Sequence, residues 1–231
     1  MIAVGSLAFG ATMALWIVNP ELSYEQNSTA VGQQRELKLS DGSRVLLNTD
    51  SIVRFSNRIR SREITLVKGE ALFSVEHNEL RPFHVQAGGA DIVDIGTIFS
   101  VRLQTTGIDV AVLEGRVAVT LGDHLQPINL TGNQAIRTDG VQVVPQADAR
   151  NFTLWKDRRF IFDRTPLNSV VAELQRYLNV PVKLADTRAA HMKISGGFSS
   201  EDPRGLIRAL PTVVPVTVRF ESDGTIVIAS R

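Results

Sequence analysis

The densest set of side chains that could bind a cation lies in one short segment. Glu76, His77 and Glu79 offer two carboxylates and an imidazole, which are groups that hold divalent metals in proteins. A solvated turn before Pro82 accounts for the same residues, because charged side chains at a turn stay in water without any ligand. The sequence favours the turn, and we predict neither a bound metal nor a cofactor.

Two other charged groups have both a chemical and a structural interpretation. Asp91 and Asp94 could act as an acid and a base, but residues three apart on a β-strand project from opposite faces. Arg58, Arg60 and Arg62 could bind an anion or lipid headgroups, whereas a charged turn would keep neighbouring strands soluble. In both places the sequence favours the structural interpretation.

The motifs of common enzymes are missing from the sequence. It contains no Gly-x-Ser-x-Gly, no His-Glu-x-x-His, no phosphate-binding P-loop and no dinucleotide-binding glycine pattern. The absence of cysteine excludes disulfide scaffolds, thiolate metal sites and cysteine nucleophiles. A net charge of +1 argues against a nucleic-acid-binding protein, which usually carries a basic excess.

Residues 2–18 form an uncharged, apolar run of 17 residues. As a helix the run would span about 26 Å, close to the ~30 Å hydrocarbon core of a bilayer. Trp16 lies near its end, where interfacial aromatic residues belong. A signal peptide is disfavoured because no basic residue precedes the run, and a core helix because it lacks a polar stripe. We predict a transmembrane helix over 2–18, and we expect the native protein to continue on the other side of the membrane.

The region 36–140 alternates apolar and polar residues, which predicts half-buried strands and an all-β domain. A six-residue pattern at 66–71 recurs at 112–117, each copy with glycine between two charged residues. The repeat predicts the same kinked turn in two stacked β layers. A sandwich, a roll or a short solenoid could each contain it.

The last part of the chain changes character and predicts a small α+β module over 155–231. Thr165 as N-cap and Pro166 at the first helical position begin one helix, and Asp202 and Pro203 begin a second that ends at Pro211. The predicted order is β-α-β-β-α-β-β. Two polar stretches, 19–35 and 141–154, are interpreted as linkers.

Several segments of the β region resemble the FecR domain, in the family's order and at its spacing; they are residues 39–45, 68–75, 81–85, 96–101 and 112–117. The final module resembles the second half of the same family, which is similar to the secretin and TonB short N-terminal domain. The marks of that second likeness are Trp155, residues 162–167 and residues 194–198.

The resemblance implies a single-pass inner-membrane regulator of anti-sigma factor type, not an enzyme. In that family a cytoplasmic segment, absent from this sequence, holds an extracytoplasmic-function sigma factor. The periplasmic part receives a signal from a TonB-dependent outer-membrane transporter, often one for iron chelates. A periplasmic enzyme or a wall-binding domain of the cell envelope is the alternative, and the missing hydrolase motifs count against it.

The resemblance also implies one chemical step, because family members are reported to cut themselves at a Gly-Thr bond. Gly96-Thr97 matches that motif, and the Thr97 hydroxyl directly after the bond could attack the Gly96 carbonyl carbon. A structural interpretation stays open, with Gly96 in a bulge and Thr97 as an ordinary strand residue. No general base is visible in the sequence.

The closing hairpin of the module is the predicted partner site. Two such modules can join by adding a strand at an exposed sheet edge, through backbone hydrogen bonds. The side chains of Ile226 and Ile228 are expected to fill the core, so the interaction is assigned to the backbone. The residues predicted to bind the transporter's signalling domain are Val216, Val218, Phe220, Thr225, Val227 and Ala229.

Overall fold

The computed structural model describes residues 13, 15–94, 96–122, 126–139, 142–146 and 148–231. These residues divide into two compact units. The first unit contains the described residues up to Ser28, together with Arg35–Leu47 and Ser51–Arg150. The second contains Thr29–Gln34, Asn48–Asp50 and Asn151–Arg231.

Most of the predicted transmembrane helix, 2–18, lies outside the described residues. Residues 15–18 are helical. In the part of the chain that the structure describes, no helix is both long enough and apolar enough to cross a bilayer.

The first unit is built from antiparallel hairpins. Its strands are β1 (Glu21–Ser28), β2 (Arg35–Lys38), β3 (Arg44–Leu47), β4 (Ile52–Arg58), β5 (Arg62–Lys68), β6 (Glu70–Ser74), β7 (Phe83–Ala87), β8 (Ala90–Asp94), β9 (Ile98–Leu103), β10 (Ile108–Glu114), β11 (Arg116–Leu121), β12 (Ile128–Thr131), β13 (Gln134–Thr138) and β14 (Val143–Gln146).

These strands form two sheets. The first sheet has the order β1-β4-β5-β7-β8-β11-β12 and the second has the order β14-β13-β10-β9-β6-β3-β2. All pairs are antiparallel except β5 with β7. One cluster of buried residues takes side chains from both sheets, and the rings of Phe73 on β6 and Phe83 on β7 lie 6.2 Å apart. Of the three architectures compatible with the repeat, the unit is therefore a sandwich.

The repeat marks two places where the chain passes from one sheet to the other. Gly69 joins β5 to β6 and Gly115 joins β10 to β11, and both have φ of 85°. A residue with a Cβ pays roughly 1 kcal/mol or more to adopt this left-handed conformation. Glycine therefore allows the sharp turn at which the chain leaves a strand of one sheet and enters a strand of the other.

Two predicted linkers contain strands, which is a correction to the sequence analysis. β1 lies within 19–35 and β14 within 141–154. Both are edge strands, and in both every residue is exposed or half-buried. An edge strand without a buried face has no hydrophobic alternation, and the sequence pattern therefore could not reveal it.

The second unit mixes short helices and strands. Its elements include a 3-10 helix (Leu154–Asp157), β15 (Arg159–Pro166), α1 (Leu167–Gln175), β16 (Val182–Leu184), α2 (Thr187–His191), β17 (Lys193–Ser199), α3 (Pro203–Val213), β18 (Val216–Phe220) and β19 (Ile226–Ser230). β15 pairs with β17, and a second sheet has the order β16-β19-β18. The apolar face of α1 packs into a core shared with α3 and both sheets.

Three details of this unit differ from the predictions. Pro166 is the N-cap of α1, because β15 continues through Thr165 and Pro166 in register with β17. The predicted second helix, now α3, begins as expected, with the Asp202 side chain accepting a hydrogen bond from Gly205 N at 2.7 Å, but it includes Pro211 and ends at Val213. The short helix α2 was not predicted.

Candidate functional site

The Gly96-Thr97 bond lies in the crossing from β8 in the first sheet to β9 in the second. Val75 N donates a hydrogen bond of 3.0 Å to Thr97 O. An added Cβ on Gly96 would lie 2.9 Å from the Cα of His77. Glycine is therefore required before the threonine by close packing, and Thr97 is buried beside it with 6% of its surface exposed.

The Thr97 hydroxyl contacts a carboxylate that the sequence analysis had set aside. Thr97 Oγ1 donates to Asp94 Oδ1 at 2.6 Å, and Gly96 N donates to the same oxygen at 3.1 Å. Asp94 is fully buried. The site thus places a hydroxyl directly after the bond within hydrogen-bond distance of a buried carboxylate, the arrangement that proton transfer between the two groups would need.

Asp91 and Asp94 do project from opposite faces of β8, as the spacing predicts. Asp91 reaches the half-exposed His84, with 3.4 Å between Oδ1 and Nδ1, while Asp94 points toward the buried side. The strand pattern does not show that Thr97, three residues further on, meets the Asp94 carboxylate. An aspartate three residues before a threonine at a turn is a recognisable signal for such a contact.

Gly115, from the second copy of the repeat, packs directly against Thr97. An added Cβ there would lie 2.4 Å from Thr97 Cγ2 and 3.3 Å from Gly96 O. The bond also borders an open pocket of about 330 Å³. The pocket is lined by Arg44, Ser74, Val75, Glu76, Gly96, Thr97, Ile98, Glu114 and Gly115.

The segment considered for cation binding does not form a cluster. His77 and Glu79 are exposed and lie 3.7 Å apart, whereas Glu76 contributes its backbone, with its N–H bound to Ser43 Oγ and its carbonyl to Arg62 Nη1. Among the described residues, no group of three histidine, cysteine, aspartate or glutamate side chains is placed to hold a metal ion.

The arginines of residues 58–62 point to three different environments. Arg58 Nε bonds to Glu63 Oε2 at 2.9 Å, and the Arg60 guanidinium lies 5.6 Å from the ring centre of Trp16. Arg62 is buried and pairs with Asp41. The segment is therefore not a single anion-binding cluster.

Of the two strands in the predicted partner hairpin, only β18 lies at the edge of its sheet. β19 lies between β16 and β18 and is not an edge strand: Val227 lies opposite Lys183 of β16 and Arg219 of β18, and Ala229 lies opposite Thr217 of β18. Thr225 precedes β19 and is buried. The part of the prediction assigned to β19 is therefore wrong, because β16 adds in parallel next to it, a pairing that sequence patterns do not reveal.

β18, with Val216, Val218 and Phe220, is the outer strand of this three-stranded sheet. Arg231 N bonds to Pro215 O, and Glu221 N bonds to Thr225 O. Because inward and outward N–H groups alternate along an antiparallel edge strand, the N–H groups of the three predicted residues point away from β19.

Comparison with known proteins gives the family. Residues 25–118 match the family described as "FecR protein", and residues 159–228 match "FecR, C-terminal". Two crystal structures of a "putative anti-sigma factor" from Parabacteroides distasonis are similar, with TM-scores of 0.76 and 0.77 and 25% identity. Each likeness covers 90% of this chain, and 100% or 99% of the other. No protein of curated function matches the chain. The two family matches follow one another along the chain as the two units do, and the chain belongs to the FecR family.

Proposed function

We propose that this protein is a transmembrane regulator of anti-sigma factor type, which relays a signal from a TonB-dependent outer-membrane transporter to an extracytoplasmic-function sigma factor. The observation that carries the proposal is the pair of family matches, supported by the similar anti-sigma factor structures. The sigma factor would be held by a cytoplasmic segment outside these 231 residues. Residues 2–18 would cross the inner membrane, and the two described units would lie in the periplasm.

The topology is tested with reporters fused after Arg231. A fluorescent protein that matures only in the cytoplasm should stay dark there, and alkaline phosphatase, which is active only in the periplasm, should be active. The same fusions made without residues 1–18 serve as the control and should reverse both signals. A bright, membrane-bound fluorescent fusion of the full chain would contradict the proposal.

The transporter's signalling domain would bind by adding a strand to β18. The support is that β18 is the edge of its sheet and that Val218 N–H points outward from its centre. Val218→Pro removes this donor without removing a hydrogen bond to β19. Val218→Ala is the control, because it keeps the N–H and shows the effect of losing the valine methyl groups alone.

We expect Val218→Pro to abolish the transcriptional response to the inducing ligand and Val218→Ala to retain it. Both variants should keep the thermal unfolding profile of the wild type. A normal response from a stably folded Val218→Pro protein would show that the partner does not use this edge.

A second candidate activity is self-cleavage at Gly96-Thr97. It is favoured by the 2.6 Å hydrogen bond between Thr97 Oγ1 and Asp94 Oδ1, next to the bond that would be cut. Purified wild-type protein should give two bands on a denaturing gel, the C-terminal one beginning at Thr97. Thr97→Ala should give one full-length band, and an intact wild type after long incubation would contradict the activity.

A further inference from the structure

We infer that the Asp94 carboxylate is the general base that takes the proton from the Thr97 hydroxyl when the Gly96-Thr97 bond is cut. The inference rests on the self-cleavage proposed above, and it deepens that proposal by naming the group that activates the nucleophile. It is needed because a threonine hydroxyl is a weak nucleophile until a base removes its proton.

The contact that carries the inference is the short hydrogen bond between the two side chains. Thr97 Oγ1 donates to Asp94 Oδ1 at 2.6 Å, within the range for a hydroxyl bound to an ionised carboxylate. A general base must lie within hydrogen-bond reach of the proton that it removes. Asp94 meets this requirement without movement, and its Oδ1 also binds Gly96 N–H at 3.1 Å. The carboxylate therefore contacts both residues that the bond joins.

The surroundings shield this pair and hold it in place. Asp94 is fully buried and Thr97 nearly so, and a hydrogen bond in a low-dielectric interior is stronger than one in water. Gly115 packs against Thr97 Cγ2 and His77 against Gly96, which restricts rotation of the nucleophile. The open pocket that Gly96 and Thr97 border gives water access to the bond.

The reaction balances with water as the only co-reactant. Asp94 takes the hydroxyl proton while Thr97 Oγ1 forms a bond to the Gly96 carbonyl carbon. The C–N bond between the two residues then breaks, and the proton passes from Asp94 to the departing Thr97 nitrogen, which becomes an amine. Gly96 is now joined to Thr97 through an ester. Water hydrolyses that ester, which gives a Gly96 carboxylate and restores the Thr97 hydroxyl.

The test follows cleavage from the moment of synthesis, because a fast cut would be complete before purification. Full-length wild type, Asp94→Asn and Thr97→Ala are made by cell-free translation with lipid nanodiscs and sampled over time on denaturing gels. Asp94→Asn keeps the Oδ1 acceptor and the side-chain shape but removes the basicity. We expect it to cut at least about 100-fold more slowly than wild type, since general bases typically contribute that much. Thr97→Ala should not cut.

A cysteine at position 97 distinguishes two possible roles of Asp94. Asp94 could remove the proton of the attacking group, or it could only hold that group in position. Cysteine ionises near pH ~8.5 without help, whereas a threonine or serine hydroxyl does not. At about pH 8.5, adding Asp94→Asn to Thr97→Cys should slow cleavage by less than about 10-fold, with the thioester detected by its reaction with hydroxylamine. Adding it to Thr97→Ser should slow cleavage about as strongly as in wild type. Circular dichroism of each purified variant checks that it is folded.

The outcomes separate the inference from the activity on which it rests. A wild type that stays intact throughout overturns self-cleavage, and the role of Asp94 with it. If wild type and Asp94→Asn cut at the same rate, self-cleavage is confirmed but Asp94 is not its general base. If Asp94→Asn blocks the Thr97→Cys and Thr97→Ser variants equally, Asp94 acts through geometry alone and the inference is also wrong.

Discussion

Arg62 shows how one residue can depart from the behaviour of its sequence neighbours. Its side chain is 2% exposed, whereas that of Arg58 is 32% exposed. Arg62 Nη1 donates to Asp41 Oδ2 at 2.9 Å, and the guanidinium lies 5.3 Å from the ring centre of Phe83. A buried charge of this kind is tolerated only with its partner in place, so both residues are structural.

We therefore expect Asp41→Asn to lower the free energy of unfolding by about 3 kcal/mol, because the buried guanidinium loses its counter-charge. Urea unfolding followed by circular dichroism measures the loss. Glu63→Gln, which removes the charge opposite the more exposed Arg58, should cost less than about 1 kcal/mol. Equal losses in the two variants would contradict this assignment.

A second pair gives the first unit a dependence on pH. The hydrogen bond that His84 donates to the Asp91 carboxylate is the main cause that raises the pKa of His84, with the charges of Asp91 and Glu63 adding to it and partial burial opposing it. Because the folded pKa is above the unfolded one, the stabilisation is complete below the unfolded value. It is lost as the pH rises through the folded pKa of His84.

The measurement is an NMR titration of the His84 ring protons. We expect a pKa above the ordinary histidine value in the wild type and a lower one in Asp91→Asn. That variant should also lose less stability as the pH rises from the unfolded histidine pKa through the folded one. An unchanged His84 pKa in Asp91→Asn would show that the carboxylate is not the cause.

At this scale the sequence identified two of the three residues of the candidate site. Gly96 and Thr97 were named because their types fit the chemistry. Asp94 was discounted because it lies on the opposite face of the strand from Asp91, and that face assignment is correct. Strand periodicity says which way a side chain points, and it does not say which later residue the chain brings back to meet it.

Among the elements, the turns at Gly69 and Gly115 agree best with the repeated sequence motif. The repeated motif predicted a shared turn, and Gly69 and Gly115 do share one φ of 85° at equivalent sheet crossings. Two copies of the motif are compatible with a sandwich, a roll or a solenoid, and they do not distinguish these architectures. That choice depends on which distant strands pair, as β5 does with β7 and β11 with β8.

The corner at Gly115 should tolerate alanine less well than an open turn with the same backbone. Gly89 has φ of 82° and nothing within 4 Å of an added Cβ, whereas at Gly115 the Cβ would lie 2.4 Å from Thr97. We expect Gly89→Ala to cost about 1 kcal/mol from φ alone. Gly115→Ala should cost about 1–3 kcal/mol more, because it adds overpacking.

Thermal unfolding of the two glycine variants by calorimetry makes the comparison. The positive φ is common to both sites, so the difference between the variants reports the contact with Thr97. Losses of similar size would mean that Thr97 moves aside without cost. The tight packing that we assign to Thr97 would then be wrong.

The second unit contains early segments of the chain that the sequence pattern had not assigned to it. Asn48 Nδ2 donates to Tyr177 Oη at 2.9 Å although 129 residues separate them, and Gln34 Nε2 donates to Trp155 O at 2.9 Å. Two short stretches of the early chain thus belong to the later unit. A boundary placed by composition follows the chain, and it misses contacts between segments that are far apart in the sequence.

The interleaving of strands leads to a prediction about a cut chain. After cleavage at Gly96-Thr97, β8 stays with the N-terminal fragment and β9 with the C-terminal one. In the intact sandwich β9 pairs with both β6 and β10, and β8 pairs with both β7 and β11. Each fragment thus contributes strands to both sheets and to one shared core. We expect the fragments to remain associated, because separating them would break two ladders and expose that core.

The prediction can be tested whether or not the chain cuts itself. Residues 1–96, carrying an affinity tag, and residues 97–231 are co-expressed as separate chains and purified in mild detergent. The untagged fragment should be retained, the pair should elute in size-exclusion chromatography with the uncut Thr97→Ala protein, and only denaturant should release it. Recovery of the tagged fragment alone would mean that strand pairing across the cut cannot replace the peptide bond.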